Sequence, residues 1–258
     1  MLERTSYPAG VPCFVDSIQP DPEAAMAFYT GLLGWDYAPG LPGNGSHIVA
    51  TLRGQPVAGL GMWPPEQEGA PATWTTHLAV PDLDAALGQV GELGGQVFAG
   101  PTKLGDAART GSVADAEGAV FGLWEAHDAA GTDIADEPGA FVWAEVWSGD
   151  QDAAARFYAG LLGLPDLPVV EGMRVVEVGG RPVFGIWPAR LAVGVEGTGA
   201  HWLAYVRVAG TDAVAARAVE LGGAVHGDPD DSPFGRWSLL ADPQGARFAV
   251  VDTTVTGL

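Results

Sequence analysis

The chain is written twice, and this repeat constrains its fold more than any other feature. Asp21-Pro-Glu-Ala-Ala-Met-Ala-Phe28-Tyr29-Thr-Gly-Leu32-Leu33-Gly34 returns 129 residues later as Asp150-Gln-Asp-Ala-Ala-Ala-Arg-Phe157-Tyr158-Ala-Gly-Leu161-Leu162-Gly163. Leu93-Gly94-Gly95-Gln-Val97 returns after 128 residues as Leu221-Gly222-Gly223-Ala-Val225, and Asp115-Ala-Glu-Gly118 after 127 as Asp242-Pro-Gln-Gly245. A nearly constant offset means two copies of one unit separated by small loop insertions. Each copy divides again, because Asp82-Leu-Asp-Ala-Ala echoes the segment that began at Asp21, 61 residues earlier.

The repeated segment has the marks of a helix. Asp21 and Asp150 are N-cap residues, and Pro22 suits the first helical position. Ala25, Phe28, Tyr29, Leu32 and Leu33 form one apolar stripe at helical spacing. Gly34, Gly94, Gly163 and Gly222 end the helices in the left-handed conformation. Phe28-Tyr29 and Phe157-Tyr158 read as packing between helix and sheet.

An alternating strand precedes each helix, at Cys13–Ile18, Thr75–Val80, Val142–Ser148 and Leu203–Val208. Short β runs follow, among them His47–Leu52, Val57–Met62, Gly111–Ala114 and Ala119–Trp124. The unit is therefore βαβββ, used four times in an α+β chain. Residues 1–127 form the first domain, with modules 10–63 and 73–127. Residues 128–138, Ala-, Asp- and Gly-rich without periodicity, read as a linker. Residues 139–258 form the second domain, with modules 139–188 and 200–254.

Composition excludes several functions. The chain has 258 residues, 47% of them hydrophobic, enough for well-filled cores, and a formal net charge of −20. Such a field repels nucleic-acid backbones and anionic lipid, and it tolerates cationic small molecules. Cys13 is the only cysteine, so no internal disulfide or cysteine zinc site is expected. No signal core or membrane span is evident, and the expected location is cytoplasmic. The Gly-rich stretch Gly40–Gly45 has no following helix, so it reads as a hairpin loop rather than a phosphate cradle.

The module pattern, with its Asp-x-x-x-Ala-x-x-Phe-Tyr-x-x-Leu-Leu-Gly signature, resembles the vicinal oxygen chelate superfamily, most closely the actinobacterial two-domain glyoxalase-like proteins. That group includes glyoxalases, extradiol dioxygenases and antibiotic-resistance proteins. The resemblance implies two curved antiparallel or mixed sheets shaped as cups, with helices on their outer faces. It also implies a metal site in each cup, whose ligand positions here hold Phe14, Thr75 and Gly122 in one copy and Trp143, Leu203 and Ala249 in the other. These offer almost no donors, so no metal and no other cofactor is expected.

Strand alternation predicts which side chains face into the cups. Cys13, Val15 and Ser17 should lie under the helix, as should Val142, Ala144 and Val146. Phe14, Asp16, Ile18, Thr75, His77 and Trp124 should face into the first cup. Trp143, Glu145, Trp147, Leu203, Tyr205 and Arg207 should face into the second, with Arg247 a further candidate. Of these, Phe14, Asp16, His77, Trp124, Trp143, Glu145, Trp147, Tyr205 and Arg207 are the expected ligand-binding residues.

Asp16 and Glu145 hold equivalent inward positions, where a carboxylate is costly without a partner. They serve either a ligand or a salt bridge, to Arg109 in the first copy and Arg236 in the second. His47, His127 and His201 read as solvated or structural, and Trp63, Trp74, Trp187 and Trp202 as packing or loop anchors.

The leading functional reading is a metal-independent protein that binds a hydrophobic, planar, neutral or cationic aromatic natural product. It would act in sequestration or self-resistance, or in support of aromatic polyketide biosynthesis, as a monomer or homodimer. The runner-up is a metal-independent enzyme using His77 and Asp16 as acid–base groups. A glyoxalase-type lyase is the third.

Overall fold

The structure is a computed structural model that describes every residue except 1, 4, 41–46, 64–68, 166, 192–198 and 256–258. Most of the Gly-rich stretch Gly40–Gly45 thus lies outside the described residues. The first half runs β1 (Leu2–Glu3), β2 (Pro12–Gln19), α1 (Pro22–Leu33), β3 (Asp36–Pro39), β4 (Ile48–Leu52) and β5 (Gln55–Met62). It continues through β6 (Thr73–Ala79), α2 (Leu83–Glu92), β7 (Gln96–Leu104), β8 (Ala108–Ala114), β9 (Val120–Ala126) and β10 (Ile134–Ala135). The second half runs β11 (Phe141–Ser148), α3 (Gln151–Leu162), β12 (Val169–Val170), β13 (Met173–Val178) and β14 (Arg181–Pro188). It ends with β15 (His201–Arg207), α4 (Thr211–Glu220), β16 (Ala224–Ser232), β17 (Gly235–Ala241) and β18 (Arg247–Asp252).

Each half closes its own eight-stranded mixed sheet. The orders are β3-β4-β5-β2-β6-β9-β8-β7 and β12-β13-β14-β11-β15-β18-β17-β16, so the two cups form within the halves. The central pairs, β2 with β6 and β11 with β15, are antiparallel and join the two modules of a half.

The helix ends follow from their residues. Asp21 accepts from the Ala24 amide, Asp82 from Ala85, and Asp150 from Asp152 and Ala153. Gly34, Gly94, Gly163 and Gly222 all have positive φ, the conformation that lets the chain leave the helix.

The helix-bearing faces of the two sheets meet in one shared core. It contains Phe28, Tyr29 and Trp74 from one half and Phe157, Tyr158 and Trp202 from the other. Small residues let the helices approach: Gly31 of α1 lies against Leu221 just after α4, and Gly160 of α3 against Leu93 just after α2. The concave faces consequently look in opposite directions.

The Asp-x-x-Gly turn of each half receives the other half's first helix. Asp242 accepts from the Tyr29 hydroxyl at 2.9 Å and the Gln19 amide at 2.7 Å, and Asp115 accepts from the Tyr158 hydroxyl at 2.9 Å. Tyr29 and Tyr158 thus latch the halves as well as packing on their own sheets.

The segment expected to be a linker is built into the first half. Ile134 is fully buried, β10 pairs with β1, and the Thr132 amide bonds the Cys13 carbonyl. Gly131 makes this close approach possible, since a side chain there would strike the same carbonyl.

Candidate functional site

The second cup contains a cavity of about 590 Å³, within the range of small-molecule sites. Alternation along β11 turns Trp143, Glu145 and Trp147 into it, and β15 adds Tyr205. A register irregularity between Phe141 and Trp143 breaks the expected pattern at one residue. Val142 therefore lines the cavity instead of lying under the helix. The matching irregularity between Pro12 and Phe14 moves Cys13 into a cluster with Trp124, Ala79 and Ala108 on the cup side of the first half. A bulge inserts one residue and resets the faces before it, which alternation alone does not reveal.

Two walls of this cavity escaped the sequence reading. Trp187, expected to be a packing anchor, stands beside Trp147 in parallel register and stacks with it at 6.0 Å and 19°. Trp237 lies 6.2 Å from Tyr205. The alternation of Trp237 and Leu239 in β17 was the available signal, since both pack with the cup-side cluster.

Glu145 sits among these rings, 6% exposed. Its oxygens accept from the Trp143 indole at 3.0 Å and the Tyr205 hydroxyl at 2.7 Å. Burial pushes its carboxyl up, against the pull of the Tyr205, Trp187 and Trp143 donors. The salt bridge considered with Arg236 is not formed, because Arg236 holds Asp212 and Asp231. Arg207 does not line the cavity either; it bonds the backbone and carboxylate of Asp136. Leu203 lies in the apolar cup-side cluster, and Arg247 pairs opposite Ala241 at the start of β18, outside the cavity lining.

The first cup is arranged differently. Asp16 stands between two imidazoles, 3.0 Å from His77 Nε2 and 3.5 Å from His47 Nε2. His47, expected to be solvated or structural, thus belongs to this site. Burial alone would push the Asp16 carboxyl up, but His77 and His47 outweigh it and hold the group well below the ordinary carboxylate range. Arg109, the alternative partner, is committed to Asp84 and Glu125.

Phe14, His77 and Trp124 pack on one another with centroids 4.9–6.0 Å apart, and the Trp124 indole bonds the Ala129 carbonyl. Much of the cup is therefore filled by its own rings. Ile18 and Thr75 remain partly exposed there. Trp63 bonds the Pro71 carbonyl, while Trp74 and Trp202 donate to Tyr29 and Tyr158 in the shared core. His127 pairs with Glu125, and His201 Nδ1 lies 2.9 Å from the Gly199 carbonyl.

The runner-up reading, with His77 and Asp16 as acid–base groups, bears on the two ring nitrogens of His77. Nε2 is engaged by Asp16, and Nδ1 is buried over Gly122 without a partner among the described residues.

The two carboxylates carry opposite pH signatures. Asp16 is depressed, so its contribution to stability is present above its unfolded value of about 4 and is lost as pH falls toward the folded value. Glu145 is raised, so the fold gains while it is protonated and loses that gain as pH rises from an unfolded value of about 4.3 through the folded one. Chemical denaturation at pH 7 and about pH 3.5 should show Asp16→Asn costing more at pH 7, and Glu145→Gln costing less there. Equal costs at both pH values for either variant would contradict the assignment for that residue.

Two eight-stranded cups, each assembled from a pair of βαβββ modules, define the tandem architecture of the vicinal oxygen chelate proteins. The chain belongs to the family of glyoxalase-like domains, which it matches over residues 13–124 and again over 143–251. It is 37% identical over 261 residues to "Putative glyoxylase CFP32" of Mycobacterium tuberculosis (strain CDC 1551 / Oshkosh), covering 97% of this chain and 98% of that one. It is 34% identical over 266 residues to "Anthracycline biosynthesis protein DnrV" of Streptomyces peucetius, covering 96% and 95%.

Among solved structures, the Mn(II)-bound glyoxalase from Novosphingobium aromaticivorans superposes with a TM-score of 0.62 at 15% identity, over 96% of this chain and 86% of that one. The 2,3-dioxygenase LapB from Pseudomonas sp. KL28 gives 0.60 at 13% identity, over 95% and 93%. These two likenesses bear on the fold alone.

The residues present do not fit a transition metal in the way the superfamily implies. Phe14, Thr75 and Gly122 in one cup and Trp143, Leu203 and Ala249 in the other supply a single hydroxyl between them. His47, Asp16 and His77 come together in the first cup with both imidazole Nε2 atoms turned to the carboxylate, and among the described residues no group of three or more His, Cys, Asp or Glu is placed to hold a metal ion. In the first cup the volume of a β9 side chain is already taken: an ideal Cβ at Gly122 would lie 1.9 Å from His77 Nδ1.

Proposed function

We propose that this chain binds a planar, hydrophobic aromatic natural product in its second cup, without a metal, and acts in sequestration or in support of a biosynthetic pathway. The observation that carries this reading is the cavity of about 590 Å³ walled by Trp143, Trp147, Trp187, Tyr205 and Trp237. Each buried aromatic ring contributes about 150–250 Å² of contact, worth several kcal/mol for a sandwiched ligand at about 25 cal/mol per Å². Relatives named for anthracycline biosynthesis support a polycyclic ligand. The acid–base alternative finds less support, because the His77 ring nitrogens are occupied or buried.

Titration with anthraquinones and anthracyclines, followed by tryptophan fluorescence and thermal shift, tests the proposal. Trp143→Ala and Trp147→Ala should each weaken binding by about 1–3 kcal/mol. Phe14→Ala in the other cup should leave affinity unchanged, and so should added EDTA. Binding that survives both tryptophan changes, or that EDTA abolishes, would overturn the reading.

A further inference from the structure

The second cavity has a charge pattern that its aromatic walls alone do not require. Five carboxylates line it, namely buried Glu145 and exposed Glu171, Glu177, Asp230 and Asp231, and no lysine, arginine or histidine does. One of the five, Asp231, is paired with Arg236, which also holds Asp212; Arg207 holds Asp136 and Arg174 holds Asp152, both outside the cavity lining. Glu145 itself has only neutral donors, the Trp143 and Trp187 indoles and the Tyr205 phenol. A carboxylate taken out of water with only neutral partners is poorly compensated, and a positive charge beside it recovers much of the loss.

The surrounding rings favour the same kind of ligand. The faces of tryptophan and tyrosine attract cations through their quadrupoles, most strongly where water is excluded. Trp147, 7% exposed and part of the cavity wall, also keeps its indole N–H without a partner among the described residues. A ligand that brings a cation to Glu145 would compensate its charge and meet the ring faces at once. The exposed carboxylates add a long-range field that draws cations toward the cavity.

We infer that the second cup selects ligands carrying a protonated amine next to their aromatic part, with the ammonium seated at Glu145 between the tryptophan rings. The inference rests on the reading of this cup as the aromatic-ligand site, and its test separates the two. Three probes share one ring system: 9-(methylaminomethyl)anthracene is cationic at neutral pH, 9-(hydroxymethyl)anthracene is neutral, and 9-anthracenecarboxylate is anionic.

Calorimetric titration of the full chain should show the amine binding at least about tenfold more tightly than the alcohol, and the carboxylate more weakly than both. Glu145→Gln should cut the amine's advantage over the alcohol to about threefold or less. Equal wild-type affinities for amine and alcohol, both still weakened by Trp147→Ala, would overturn the amine preference and leave the aromatic site standing. An amine preference untouched by Glu145→Gln would overturn the proposed seat. Failure of every probe to bind, or binding indifferent to Trp147→Ala, would remove the aromatic site and the amine preference with it. The wild-type comparison of amine and alcohol decides the preference without any variant.

Discussion

Asp242→Ala is expected to lower the stability of the chain by about 3–5 kcal/mol, a fall of roughly 6–20 °C in Tm for a protein of this size. The Asp242 carboxylate is 3% exposed and accepts four hydrogen bonds. The Gln244 and Ala246 amides, each at 2.9 Å, close its own turn. The Gln19 amide at 2.7 Å and the Tyr29 hydroxyl at 2.9 Å come from the other half. Alanine would leave these donors in a site that water does not reach, where each unsatisfied group costs about 1–3 kcal/mol. It would also unlatch β2 and α1 from the second half.

Asp115→Ala tests the same device in mirror image and should cost less. Asp115 serves the Glu117 and Ala119 amides and the Tyr158 hydroxyl. The counterpart of Gln19 is Ser148, which bonds Glu117 instead. Calorimetric unfolding of both variants measures the difference. A loss under about 1.5 kcal/mol for Asp242→Ala would show that the aspartate organises only its own turn.

The sequence shows these aspartates as equivalent residues of the repeat but not as receptors for the opposite half. A repeat shows that two copies exist, whereas their docking depends on surfaces brought together only in three dimensions. The modules, helix caps and central strands were legible because each rests on local chemistry: Asp21 before Pro22, Gly34 after an apolar stripe, alternation through β2 and β11. The single-residue bulges at Cys13 and Val142 were not legible, since an extra residue leaves an apolar run looking regular. The polar edge strand β16, with Asp228-Pro229-Asp230-Asp231, carries no strand pattern at all. Backbone pairing with β17 holds it in place, with a register shift between His226 and Asp230. His47 reads in the sequence as a strand-end residue, and its ring reaches Asp16 across the bare backbone of Gly61 on the intervening strand.

Gly122→Ala should destabilise the chain by about 2–4 kcal/mol, and the cost should nearly vanish once His77 is removed. An ideal Cβ at residue 122 would lie 1.9 Å from His77 Nδ1, 2.4 Å from Cε1 and 2.5 Å from Cγ. The backbone there has little freedom to yield, because Gly122 pairs with His77 on one side and Ser112 on the other. The ring must therefore leave its slot and give up the 3.0 Å contact with Asp16. It must also abandon its packing with Phe14 and Trp124, 5.9 and 6.0 Å away. Urea denaturation of wild type, Gly122→Ala, His77→Ala and the double variant gives the coupling directly. We expect Gly122→Ala to cost about 1 kcal/mol or less in the His77→Ala background, a coupling of roughly 1–3 kcal/mol. Additive costs would mean that the ring does not occupy this space. The same geometry bears on the implied metal site, because the place where a ligand side chain on β9 would project is filled by a neighbour's imidazole. Gly122→Glu therefore does not restore a ligand set unless His77 is displaced first.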